Sequence, residues 1–235
     1  MRKGITMIRV QSRPLRLIAA AVAIGVLGAA CGSSGGASAK GKVLDSTTTT
    51  TIAKGADTTA AVLRSTLNGL LEEHVYLASA ATGAALAGRS DEFTAAAAAL
   101  DGNSNAITAN ITAVFGSTAG QAFDPLWKKH IAMLVAYTQG LAAHDGAKSA
   151  QAISDLTQYT KDFGAFINSA SPKLPKETVV QLVKTHVFTL KDVIDAQAAK
   201  DWTKAYTDER TAAAHMAMIA NGLATTVVAQ FPAKF

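Results

Sequence analysis

Leu70-Leu71-Glu72-Glu73-His74-Val75, Leu126-Trp127-Lys128-Lys129-His130-Ile131 and Leu182-Val183-Lys184-Thr185-His186-Val187 share the pattern Leu-x-x-x-His-(Val/Ile) and stand 56 residues apart. Self-similarity at a fixed interval of this size marks a copied supersecondary unit whose retained residues face a common core. The register runs past the motif. Ile107, Phe163 and Ile219 fall 33 residues after the three histidines, and Ile111, Ile167 and Leu223 fall 37 after them. Residues four apart share one side of a helix, so each copy carries a second matched stripe.

Between its two stripes each copy has a turn signal about fifteen residues past the histidine: Arg89 beside Ser90-Asp91, Asp145-Gly146, and Asp201. Short polar residues of this kind cap helices. Alanine is abundant, prolines number only five, and apolar residues recur at helical spacing, as in Leu126, Trp127, His130, Leu134, Tyr137 and Leu141. Strand signals are weak throughout. The chain is therefore expected to be all-α, a six-helix bundle built from three repeated helical hairpins with a period of 56 residues. Expected spans are about 57–87, 91–115, 125–144, 147–169, 175–198 and 201–229. Asp124-Pro125, a capping acid followed by proline, marks the third start, and Pro175 with Glu177 the fifth.

A hairpin that turns fifteen residues after its histidine brings the residue at twenty-nine alongside it on the antiparallel partner. Those residues are Asn103, Tyr159 and His215. One polar layer is expected, made of His74, His130, His186 and His215, with Asn103 and Tyr159 as neighbours. Burying an unpaired imidazole costs on the order of 1–3 kcal/mol, so four together need a hydrogen-bond network or a metal ion. Neutral imidazole is the commonest protein ligand for transition metals. Met133 and Met218 stand three residues after His130 and His215 on nearly the same face. Imidazole with thioether suits copper, particularly Cu(I), so copper is expected before zinc. Met216, offset by one residue from His215, is expected to point elsewhere.

Competing chemistries are thin. Glu73 is turned from His74 by about a quarter of the helix circumference, and no Glu-x-x-His pair supports a carboxylate di-iron site. Haem held between two histidines stays open, although Cys-x-x-Cys-His is absent, and so does a small-ligand site, which would need a cavity of several hundred Å³ beside the layer. No Gly-x-Ser-x-Gly elbow or phosphate-cradling glycine loop occurs, and no motif names a reaction. His144, before Asp145-Gly146, reads as a solvent-facing helix-end residue.

The first thirty residues carry Arg2, Lys3, Arg9, Arg13 and Arg16, no acid, and an apolar run from Leu17 to Ala30. That run is too short to span a bilayer of about 30 Å at about 1.5 Å per residue, so residues 1–30 read as an export signal. Leu27-Gly28-Ala29-Ala30-Cys31 resembles a bacterial lipobox, with Gly28 where leucine is usual. Cys31 is accordingly the expected lipidation site and membrane anchor, and the expected location is the outer side of the cytoplasmic membrane. The alternative is cleavage after Ala37-Ser38-Ala39, which would release a secreted protein. Cys31 is the only cysteine, so no internal disulfide can form. Residues 31–56, rich in Gly, Ser and Thr, read as a tether, and 57–235 as the bundle domain. The formal charge of +5 is misleading, because the signal holds five of the 22 basic residues and none of the 17 acidic ones. The balanced remainder gives no reason to expect a nucleic-acid partner.

Trp127-x-x-His130, Asn168-x-Ala170-x-Pro172 and the closing Gln230-Phe231-Pro232-x-Lys234-Phe235 resemble a group of small, often exported, helical bacterial proteins, across about residues 70–235. The group has no established activity, so the resemblance implies the helical fold and little about function. Two positions depart from its pattern: Tyr159 where asparagine is common, and Ala214 where an acid commonly precedes the last histidine. The functional expectation is a lipid-anchored binder that sequesters or transfers a metal. The rival is a structural or protein-interaction module whose histidines merely hydrogen-bond.

Overall fold

The computed structural model describes residues 58–235. The signal region, Cys31 and the tether lie outside the described residues. Six helices follow one another: α1 (Thr59–Leu86), α2 (Ser90–Phe115), α3 (Ser117–Ala142), α4 (Gly146–Ala170), α5 (Lys176–Ala198) and α6 (Trp202–Gln230), closed by a single 3-10 turn over Pro232–Lys234. No strand occurs among the described residues.

Each helix packs against the next, and α6 returns to pack against α1, so the six form a closed ring. The odd-numbered helices also meet one another inside that ring. These are the helices that carry His74, His130 and His186. Their inward stripes include Leu67, Leu71 and Val75 on α1, Phe123, Trp127 and Leu134 on α3, and Val179, Val187 and Leu190 on α5, all buried. The inward stripe of α6 is built mostly from alanine, with Ala205, Ala212, Ala213, Ala220 and Ala224 joined by Met216 and Val227. Small side chains let this long helix lie close against its neighbours.

The three hairpin turns share one construction. Gly88, His144 and Lys200 adopt φ of 68°, 53° and 58°, the left-handed conformation that ends a helix. In each turn the next residue's N–H reaches back to a carbonyl five residues earlier: Arg89 to Ala84, Asp145 to Gly140, and Asp201 to Ala196. The following helix then starts at once. Asp145 and Asp201 accept from the N–H groups of Lys148 and Lys204 at 3.0 Å, satisfying donors that the first turn leaves free. Arg89 makes no such cap; its guanidinium pairs instead with Glu92.

One expected boundary is wrong. The third helix begins at Ser117, and Pro125 lies within it. Gly116, at φ 93°, is what separates α2 from α3. Pro125 is exposed, as is Gln121, whose carbonyl loses its usual partner and can take water instead. Asp124 does not cap the helix. It accepts from the Thr108 hydroxyl at 3.0 Å and pairs with Lys128 at 3.3 Å, joining α2 to α3.

At this same end, the Gln230 to Phe235 segment ties three elements together. Gln230 accepts from the Ser171 hydroxyl and donates to the Ala170 carbonyl at 3.2 Å. Lys234 Nζ donates to the Val114 carbonyl at 2.6 Å, placing a cation at the C-terminal end of α2. Phe231 packs edge-on against Phe115 at 5.6 Å. Asn168 donates to the Leu174 carbonyl at 2.8 Å and shapes the α4–α5 connection. Asn168, Ala170, Gln230, Phe231 and Lys234, singled out above by their sequence motifs, thus help to fasten this end of the bundle.

Candidate metal centre

His74, His130 and His186 project from α1, α3 and α5 into the middle of the ring and are almost completely buried. Each has one nitrogen within 4.8 Å of the corresponding nitrogens of the other two. Ring centroids are 5.4 Å apart for His74 and His130, 5.6 Å for His74 and His186, and 6.2 Å for His130 and His186. The three helices meet at one level because each histidine occupies the same place in its hairpin.

The Nε2 atoms of His74 and His130 face each other at 3.4 Å, one donating and the other accepting. That is longer than the usual 2.9–3.0 Å for a nitrogen donor, and it is the only hydrogen bond the three rings make among the described residues. His74 Nδ1, His130 Nδ1 and both nitrogens of His186 are buried without a partner, as is Asn103 Oδ1. Four partnerless imidazole nitrogens in one place are unusual, because buried polar groups are nearly always satisfied. A tetrahedral ion with nitrogens at about 2.1 Å would hold two of them about 3.4 Å apart. The His74–His130 separation already has that value, and with the whole group inside 4.8 Å an approach of His186 would complete a three-imidazole set.

Burial keeps these rings neutral and therefore ready to ligate. Loss of hydration is the main cause for all three. It brings His130 down to about 4, offset in part by the Trp127 carbonyl, which lies near the ring but outside hydrogen-bonding geometry. His186 falls to about 3, with His130 and His215 adding repulsion. His74 is lowered well below its usual value, with His130 and His186 contributing after burial. Aromatic rings wall the group: Trp127 lies 4.9 Å from His74 and 4.7 Å from His130, and Tyr159 stacks on His130 at 5.1 Å with 26° between planes. Trp127 is itself anchored by donating Nε1–H to the Ser104 hydroxyl at 3.3 Å.

The remaining expected residues divide. His215 is not brought into the group. Its Nε2 donates to the Leu182 carbonyl at 2.9 Å, and the residue is only half-buried. Asn103 makes the corresponding bond to the Leu70 carbonyl, also at 2.9 Å, and donates to Glu73 at 2.7 Å. Both residues serve as struts between the two helices of a hairpin. Tyr159, third at this position, instead contributes its ring to His130; burial raises its hydroxyl well above the usual value.

Neither expected methionine takes a clear ligand position. Met218 is 53% exposed, and Met133 is half-buried against the apolar core. Met216, expected to point elsewhere, is the buried one at 2% exposure. The inward line of α6 runs through Ala212, Met216 and Ala220, which places His215 on its flank and Met218 about half a turn away.

A cavity of about 240 Å³ lies against the histidines. His130, His186, Trp127 and Tyr159 line it together with Met216 and otherwise mainly aliphatic and phenylalanine side chains. Its outer lining includes Thr178, Met218 and Gly222, exposed residues of α5 and α6. Nothing in the sequence pattern announced this space, since periodicity reports which face is buried and not how completely it is filled. Comparison of the chain with protein families, curated proteins and solved structures finds no match.

Proposed function

We propose that this protein is exported, is tethered to the outer side of the cytoplasmic membrane through Cys31, and binds a single transition-metal ion through His74, His130 and His186. The convergence of three buried imidazoles, one nitrogen of each within 4.8 Å of the others, carries this reading. An ion held by the facing Nε2 atoms of His74 and His130 and by one nitrogen of His186 would replace the single long hydrogen bond and give His186 its first partner, while both Nδ1 atoms stay as they are. Zinc(II) and copper(I) both accept three imidazoles. With Met218 at the surface and Met133 only half-buried, the thioether argument for copper loses its footing, and zinc becomes an equal candidate. A fourth position would open toward the cavity.

Ligating histidines usually donate their second N–H to an acceptor, and loss of that support weakens affinity by about 10- to 100-fold. His74 and His130 lack such an acceptor at Nδ1. A site of this kind suits exchange and hand-over better than permanent retention. Protein stripped with a chelator should bind one equivalent of zinc(II) or copper(I), and its unfolding free energy should rise by about 2.7 kcal/mol at a hundredfold excess over the dissociation constant. Uptake unchanged in His130→Ala and His186→Ala variants that remain helical by circular dichroism would defeat the proposal. The rival structural reading draws on the His74–His130 hydrogen bond. It expects no uptake by the unaltered protein.

A further inference from the structure

We infer that the cavity beside His130 and His186 is a binding site for a small neutral amphiphile, an apolar body of about ten heavy atoms with one hydrogen-bonding head such as a hydroxyl. Size sets the body. An apolar protein cavity of about 150 Å³ holds benzene, so about 240 Å³ accommodates roughly ten heavy atoms. A porphyrin is several times larger, which removes haem as the occupant.

The lining sets the character. Leu67, Leu71, Ile107, Ile111 and Phe163 are typical of the walls, and an empty apolar space of this size forfeits packing contacts that a ligand would restore. His186 sets the head. It is buried, it lines the cavity, and neither of its nitrogens has a partner. A neutral imidazole offers one donor and one acceptor, which a hydroxyl can match on either side. A carboxylate would have to leave water for these mainly apolar walls and is disfavoured. The geometry requires no metal, so the inference stands apart from the proposed function.

Entry runs between α5 and α6. Gly222 lies on that rim, is exposed, and a Cβ placed there meets no atom within 4 Å. The backbone at Gly222 therefore accepts a side chain, and Gly222→Phe is expected to narrow the mouth. A reporter is built in: Trp127 lines the cavity, and the only other tryptophan, Trp202, is 55% exposed and removable as Trp202→Phe.

The test uses the full chain with Trp202→Phe, in chelator, titrated with 4-butylphenol, butylbenzene and 4-butylbenzoate while Trp127 emission and the thermal midpoint are followed. The phenol should shift both, and should bind up to about tenfold tighter than butylbenzene, as one added hydrogen bond allows. The benzoate should bind more weakly than the phenol. Gly222→Phe should weaken the phenol or slow its entry. No response to any probe at millimolar concentration, or an unchanged response in Gly222→Phe, overturns the site. Benzoate binding as tightly as phenol overturns the neutral head. Failure of zinc or copper to bind would leave these outcomes untouched, so the two proposals fail separately.

Discussion

At the scale of single residues, burial of the three imidazoles has a thermodynamic consequence. In the unfolded chain each titrates near its usual value of 6.5, whereas in the fold His130 and His186 titrate at about 4 and about 3 and His74 well below its usual value. Above pH 6.5 both states are neutral and stability is intact. As the pH falls below 6.5 the unfolded chain takes up protons that the folded protein refuses, so stability is lost progressively toward pH 4. The slope is about 1.4 kcal/mol per pH unit for each histidine, hence up to about 4 for the three. Urea midpoints of metal-free protein between about pH 7 and about 4.5 should fall accordingly. A flat profile, or one unaltered by combining His130→Leu with His186→Leu, would show that the rings are not held neutral by the fold. The triad was legible in the sequence because fixed spacing and helical phase both pointed to it. His215 and Met218 were misread for one reason: α6 presents Met216 rather than its neighbours to the interior, and a phase taken from one histidine cannot reveal a rotation of about 100° per residue.

At the scale of elements, the hairpin turns hold the clearest lever. Gly88 adopts the left-handed conformation at no steric cost, whereas His144 and Lys200 do so with a Cβ. Neither side chain is buried. His144→Gly and Lys200→Gly should each stabilise the protein by about 0.5–1 kcal/mol after allowing for the greater freedom of glycine in the unfolded chain. Thermal midpoints for the two single variants and their combination should rise additively, since separate turns share no partners. The turns were readable from Asp145-Gly146 and Asp201 because capping chemistry is local. The start of α3 was not, because Asp124-Pro125 is an equally good local signal that the exposed face of an existing helix can absorb. Gly116 breaks the chain one residue before α3 begins, and a glycine among small polar residues gives no hint of φ 93°.

At the scale of the whole molecule, the all-helical hairpin architecture could be read from apolar periodicity, while ring closure and the cavity could not. Both depend on how helices distant in sequence fill space. Closure is held by α1 against α6, where Arg64 donates to Asn221 and Thr225, and Asn68 donates to Asn221. As the α1 residue number rises in these pairs its α6 partner's does not, and Glu209 meets Ser79 farther along, so the two helices run antiparallel. The start of α1 is thus beside the end of α6.

Since every helix has a neighbour on either side, no connection between consecutive helices is indispensable to the arrangement. Joining Phe235 to Thr58 through a short glycine-serine linker and opening the chain within the α4–α5 connection, between Pro172 and Lys173, should give a circularly permuted protein. It should match the original in helical circular dichroism and in metal uptake. The order in which a ribosome delivers the six helices would then be incidental to the triad at their centre, which any cyclic ordering of the same segments could assemble.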